Sequence, residues 1–216
     1  MCIRDRYGWD MGTSLYELLR GLIEIKGIEL IRLSSMHPSE IGGELLGLIT
    51  SEEKMAPHFH ISLQSGSDRI LKLMEREYTI SDYLKIVDKI ISKRPISAIG
   101  TDIIVGFPTE TEEDFEQTYK LLKELPIAYM HVFPYSDRPF TKASKMEGKV
   151  VSSVKDKRVK ALKELDKEKR QNFYETHRGK SLRATIIEGN RLLTENYIEV
   201  DRSVKGNAGC VIRIVL

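Results

Sequence analysis

Four polar side chains recur at every second position of one short stretch: His58, His60, Ser62 and Gln64. In a strand that spacing places all four on one face. Inside a parallel sheet such a face is costly unless its groups bond one another or a ligand. The ordinary reading is a self-satisfied polar layer, and the chemical one is the wall of a binding site. Gln64-Ser65-Gly66-Ser67-Asp68 follows directly and suits a strand-to-helix turn that cradles a polar group. A second candidate set lies on Thr101-Asp102-Ile103-Ile104-Val105-Gly106-Phe107-Pro108. Here Asp102 is the ionisable group, and Gly106 stands where the backbone must bend or admit a close neighbour. The third is His131-Val132-Phe133-Pro134-Tyr135-Ser136-Asp137-Arg138. Rings such as Phe133 beside Arg138 suit a flat, charged ligand, although core residues and a solvated loop would read the same way.

These residues need elements to hold them. Ile103 to Val105 is an apolar, β-branched run that suits a strand buried on both faces. Thr109 or Thr111 then caps a helix whose first turn carries Glu112, Glu113 and Asp114. The same plan recurs. The pattern predicts a helix capped by Ser14 or Thr13 and ending near Gly27, and strands at 28–34, 57–64, 99–105 and 128–135. Helices fill the intervals, one with Ile41, Leu45 and Ile49, one with Ile70 and Leu71, and others at 80–92 and 111–124. Ile41-Gly42-Gly43-Glu44 falls within a helical pattern, so its glycine pair reads as coincidence. Strands alternating with helices predict parallel βα units, with ligands at the carboxyl ends of the strands.

After residue 150 the character changes. Ser152 to His177 reads as one long helix with Val154, Ala161, Leu162, Leu165 and Phe173 as its apolar stripe. Between Lys155 and Lys180 there are ten basic against five acidic residues. Lys155, Lys157, Arg158, Lys160 and Lys163 are spaced to spread charge opposite that stripe. From Ser181 short alternating runs between Gly179, Gly189, Gly206 and Gly209 predict a small β domain. The expected division is 1–150, a linking helix at 151–178, and 179–216.

At 216 residues, 41% hydrophobic and 31% charged, the composition is that of a soluble globular protein. A net charge of +2 argues against a globally basic nucleic-acid binder and leaves room for a local basic patch. No run reaches the length of a membrane span and no signal peptide is visible. Only Cys2 and Cys210 are present, which points away from a disulfide scaffold and towards the cytoplasm.

Ile31 to Pro38, His58 to Asp68, Thr101 to Phe115 and His131 to Arg138 occur in this order. In that order they resemble the radical S-adenosylmethionine methylthiotransferases, over nearly everything from Tyr7 onward. Leu33-Ser34-Ser35, the run from His131 to Ser136 and Leu193-Thr194-Glu195-Asn196-Tyr197 are most similar to the branch modifying N6-threonylcarbamoyladenosine in tRNA. The resemblance implies a partial parallel βα-barrel, its N-terminal strands missing, followed by an all-β TRAM domain that is itself truncated. It implies addition of a methylthio group to adenosine C2 next to the anticodon, using S-adenosylmethionine and two 4Fe-4S clusters. By that resemblance Gln64, Asp102, Ile104, Gly106 and Phe133 would hold the cofactor. His60, Arg138, Lys155, Lys157, Arg158 and Lys160 would meet the target base or the tRNA phosphates. No residue is assigned as catalytic or as a metal ligand. The expected partner is tRNA, with no membrane, and the expected state is a monomer.

The chain departs from the family in several places. The family's cluster cysteines have no counterpart in Cys2 and Cys210, and iron-sulfur clusters need several thiolates close together. No cluster and no activity are therefore expected of this chain alone. Tyr7-Gly8-Trp9-Asp10 resembles the loop after the family's second strand, so a C-terminal fragment is expected. Met1 to Arg6 matches nothing in the family and should be frayed. Ser62 replaces a usual Pro, and Thr109 and Phe140 replace usual glycines, which bears on local loop geometry. Two alternatives share these residues. One is a sibling enzyme acting on isopentenyladenosine or a ribosomal-protein aspartate. The other is a non-enzymatic RNA-binding protein with a decayed barrel.

Overall fold

The computed structural model describes residues 7–187, 191–202, 204 and 206–216. Met1 to Arg6, with Cys2, and Gly189 lie outside the described residues. Helix α1, Leu15–Glu24, begins where Ser14 accepts a hydrogen bond from the Glu17 N–H. Helix α2 is Gly43–Ser51, and strand β1 is His58–His60. Gly42 is the α2 N-cap, so the glycine pair opens a helix. Helices α3, Asp68–Leu73, and α4, Ile80–Lys93, follow, the latter opened by a capping box of Thr79 and Asp82. Then come strand β2, Ala98–Val105, helix α5, Glu112–Glu124, and strand β3, Tyr129–Pro134. Thr111 caps α5 in a second box, with Asp114. Thr109 does not cap it and instead adopts φ 67°.

The three strands form one parallel sheet in the order β1-β2-β3. His58 pairs with Ala98, and Gly100 to Val105 pair with Tyr129 to Pro134. The fourth expected strand, 28–34, is not formed. Its segment touches the sheet at two single bridges, Ile31 to Met55 and Met36 to Ile61. The partner offset changes by one residue between them, so no continuous ladder can run through both. The regular part of β1 is likewise only three residues long, and it extends through Gln64 by one further bridge to Ile103.

Phe59, Ile61, Leu63, Ile99 and Ile103 are all within 1% of complete burial. Each contributes roughly 1.5–3 kcal/mol by leaving water. Helix α6, Ser152–His177, lays Leu162 and Leu165 into the same core. Its Phe173 packs on Ala98, Ala128 and Tyr129. Beyond it β4, Ser181–Ile186, β5, Arg191–Thr194, β6, Glu199–Asp201, and β7, Val211–Val215, make an antiparallel sheet in the order β6-β5-β4-β7. A separate small core of Ala184, Ile186, Leu192 and Ile214 supports it. Among the described residues no helix is long and apolar enough to cross a membrane.

Candidate functional site

Alternation along the three parallel strands brings one row of side chains together. β1 supplies His58 and His60, β2 supplies Asp102 and Ile104, and β3 supplies Tyr129, His131 and Phe133. Gly100 makes this possible, because a Cβ there would lie 2.2 Å from the Tyr129 ring. With no side chain at 100, Tyr129 lies across the sheet. Its hydroxyl is 2.7 Å from His58 Nε2 and 3.0 Å from His60 Nδ1. Burial, then the Arg32 charge and His60, push the His58 imidazole down to about 3, so it is neutral near pH 7. Burial likewise pushes the Tyr129 phenol up.

Asp102 stands at the other end of the row. The Ser62 hydroxyl donates to its Oδ2 at 2.6 Å. Its Oδ1 lies 3.0 Å from His60 Nε2 and 3.2 Å from His131 Nδ1. The first of these is an electrostatic contact, since His60 Nε2 is buried without an aligned hydrogen bond. Burial alone would raise the Asp102 carboxyl. The His60 and Ser62 contacts outweigh it and hold the group at about 2. Asp102 is therefore a fixed anion between two imidazoles.

The antiparallel sheet closes the opposite end. Tyr197, at φ 71°, stacks on His58 with ring centroids 4.0 Å apart. The Arg32 guanidinium lies 5.2 Å from the Tyr197 ring centroid and donates to the carbonyls of Thr194 and Glu195. The Asn196 amide donates to the Ile96 carbonyl.

At the carboxyl end of the sheet a cleft of about 600 Å³ opens, lined by Gln64, Arg76, Asp102, Ile104, Phe133 and Arg138 among others. Gln64 sits at φ 70°, an unfavourable backbone for a residue with a side chain. Two hydrogen bonds hold it there: its N–H donates to the Asp102 carbonyl, and its carbonyl accepts from Ile104. Phe133 is half exposed at 49%, offering a bare ring face. An anion, a cationic rim and apolar flanks together suit a flat ligand bearing both charges.

Five residues expected from the sequence thus meet at one cleft: Gln64, Asp102, Ile104, Phe133 and Arg138. His60 is buried beneath Asp102 and does not line it. Gly106 takes φ 76° in the next loop, where a Cβ would lie 2.2 Å from Lys155 Cγ. Lys155 is accordingly folded inward, donating to the Tyr135 carbonyl. Arg158 departs from the outward basic face expected opposite the apolar stripe. It is only 4% exposed and pairs with Glu110 at 2.6 Å and Glu112 at 2.9 Å. The Arg158 side chain points inward, its guanidinium 5.3 Å from the Phe115 ring centroid. Lys157, Lys160 and Lys163 remain exposed. His131 stood in the third candidate stretch without a role of its own, and Tyr129 and Arg76 were not singled out from the sequence. Stepping back by two from Phe133 along its strand reaches the first two, whereas nothing local marks Arg76.

The family model described as the Radical SAM superfamily matches residues 10–122. The chain is 62% identical over 212 residues to the threonylcarbamoyladenosine tRNA methylthiotransferase MtaB of Aquifex aeolicus, covering 98% of this chain and 52% of that protein. It is 45% identical over 163 residues to the Thermotoga maritima protein of the same name, covering 76% and 38%. It is 42% identical over 187 residues to the tRNA-2-methylthio-N(6)-dimethylallyladenosine synthase of Acetivibrio thermocellus, covering 86% and 39%. The chain therefore spans about half or less of the length of these curated relatives. Among solved structures, coproporphyrinogen III oxidase (HemN) from Escherichia coli, described as a radical SAM enzyme, overlays with a TM-score of 0.56 at 20% identity. That overlay covers 72% of this chain and 36% of the other, and it speaks to the fold alone. With more than half of its residues matched by the family model, the chain belongs to the radical SAM superfamily.

Proposed function

We propose that this chain is the cofactor-cleft and RNA-binding part of a methylthiotransferase that modifies N6-threonylcarbamoyladenosine in tRNA. The observation that carries this reading is the meeting of Gln64, Asp102, Ile104 and Phe133 at one cleft, in a chain 62% identical to a protein of that name. When bound, S-adenosylmethionine would supply a hydrogen-abstracting radical once an electron from the superfamily's 4Fe-4S cluster had cleaved it. The residues present fit it. Asp102 answers a positive group, Arg76 and Arg138 a carboxylate, and Ile104 and Phe133 flank a purine. Gln64, pinned at φ 70°, presents its amide at the cleft edge.

A 4Fe-4S cluster finds no such fit. Cys210 is an exposed free thiol, and the whole sequence adds only Cys2. We place the cluster thiolates in parts of the enzyme beyond these residues, and expect this chain alone to be inactive. We divide the chain as a partial barrel to residue 150, a linking helix to 178, and a TRAM-like β domain. The exposed Lys157, Lys160 and Lys163 face tRNA phosphates in this reading, a salt-sensitive contact independent of sequence. The enzyme works as a cytoplasmic monomer in this reading. The likeness to a dimethylallyladenosine synthase supports a second reading, the same chemistry on that neighbouring nucleoside.

The test is nucleoside mass spectrometry of tRNA from cells carrying the intact gene, or the gene with Ile104→Arg. Methylthio-threonylcarbamoyladenosine should appear with the parent and vanish with the variant. Methylthio-dimethylallyladenosine in its place would move the reading to the second substrate. Neither product with the intact gene would refute both.

A further inference from the structure

We propose that His60, Asp102 and His131 form a mononuclear binding site for a divalent transition-metal ion of the Zn²⁺ or Fe²⁺ class. Three strands deliver the three donors. Register pairs Asp102 with His131, while His60 sits opposite Gly100 one step back on the neighbouring strand. One ligand atom from each residue lies within 4.8 Å of those of the other two. Donors bonded to a common ion at about 2.0–2.2 Å fall comfortably inside that limit.

Two further features point to a ligand. His60 is 4% exposed, yet its Nε2, aimed at Asp102 Oδ1, has no aligned hydrogen-bond partner. A buried polar atom left in this way is uncommon, and an ion at the centre would satisfy it. The outer contacts are also those a metal site requires. His60 Nδ1 is held by the Tyr129 hydroxyl and Asp102 Oδ2 by the Ser62 hydroxyl, which fix both ligands in place. Two imidazoles and one carboxylate favour borderline ions over Mg²⁺ or Ca²⁺, which prefer all-oxygen shells. The Asp102 carboxylate supplies an anionic donor suited to a dication. His131 is half exposed, so the outward side stays open to water or to a ligand entering by the cleft. The site stands on these three side chains, and it takes Asp102 as a metal ligand in place of a role facing the cofactor's cation.

The test uses this chain, untagged, with Cys2→Ser and Cys210→Ser so that thiols take up no metal. Titration with Co²⁺ should give visible absorption saturating at one equivalent, displaced by Zn²⁺, and calorimetry with Zn²⁺ should give the same stoichiometry. His131→Ala alters a half-exposed residue. With an unchanged circular dichroism spectrum it should lose the absorption and weaken Zn²⁺ binding by roughly tenfold or more. Ser62→Ala should weaken it by roughly tenfold through the second partner. Absence of saturable uptake, or the same uptake by folded His131→Ala, would overturn the site and leave a hydrogen-bonded cluster. Neither result touches the Ile104 test above, so the two proposals fail separately.

Discussion

Arg158→Met removes the cation from a buried cluster and leaves its partner behind. Glu110 is 6% exposed, and its Oε2 accepts from the Gly106 N–H at 2.5 Å as well as from Arg158. Taking one partner from a buried ion pair costs roughly 3–5 kcal/mol, because the surviving charge is stranded. The Gly106 hydrogen bond survives, and the Glu112 contact faces solvent, so the loss should fall near the lower end, about 3 kcal/mol. Arg158→Met with Glu110→Gln keeps an acceptor for Gly106 and removes the charge, so it should cost less than about 1.5 kcal/mol. Urea unfolding followed by circular dichroism measures both. The sign of the pH effect follows from Glu110, whose carboxyl burial already raises. A raised carboxyl holds its proton more tightly in the folded state, so its contribution to stability falls as pH climbs above the ordinary glutamate range. Without Arg158 that rise must grow. The single variant should therefore lose less at about pH 5 than at about pH 8, and the double variant should show no such difference. A single-variant loss below about 1 kcal/mol, or equal losses for single and double variants at both pH values, would refute the stranded-charge argument.

Phe140 is fully exposed at φ 67°, so its ring buries nothing while its backbone is strained. Phe140→Gly relieves roughly 1–2 kcal/mol of that strain against about 0.4–1 kcal/mol of added chain entropy. The melting temperature should rise by about 2 °C in a thermal scan, and a fall would count against the strain. His58 is neutral in the fold, held down to about 3 against about 6.5 unfolded. Its contribution is complete above pH ~6.5 and is lost towards pH 3, by at most about 1.4 kcal/mol per pH unit. Urea unfolding across that range should give a shallower acid loss for His58→Gln than for the parent. Identical slopes would assign the acid sensitivity elsewhere, His177 being the other histidine that burial depresses.

The parallel βα units were legible because their signals are local. The apolar β-branched run Ile103 to Val105 marked β2, and Thr109 or Thr111 ahead of three acids marked the start of α5, which Thr111 caps. The strand expected at 28–34 failed because forming a ladder depends on the partner's register, which a one-residue slip between Ile31 and Met36 interrupts. Arg158 misled because charge patterning sees a helix face but not Glu110, which lies 48 positions away in sequence. Thr109 and Phe140, set against glycines by the resemblance, both take the left-handed backbone that glycine adopts most readily. The two readings of the histidine strand, polar layer and binding wall, also turn out to describe different ends of one row. At the closed end Tyr129, reaching over Gly100, takes one nitrogen from each of His58 and His60. At the open end Asp102 gathers His60, Ser62 and His131 beside the cleft. Spacing by two could place these groups on one face, but which of them would find partners depended on a tyrosine 69 and 71 residues further on. What that tyrosine leaves unsatisfied, His60 Nε2 against a fixed carboxylate, is where the row has chemistry to offer.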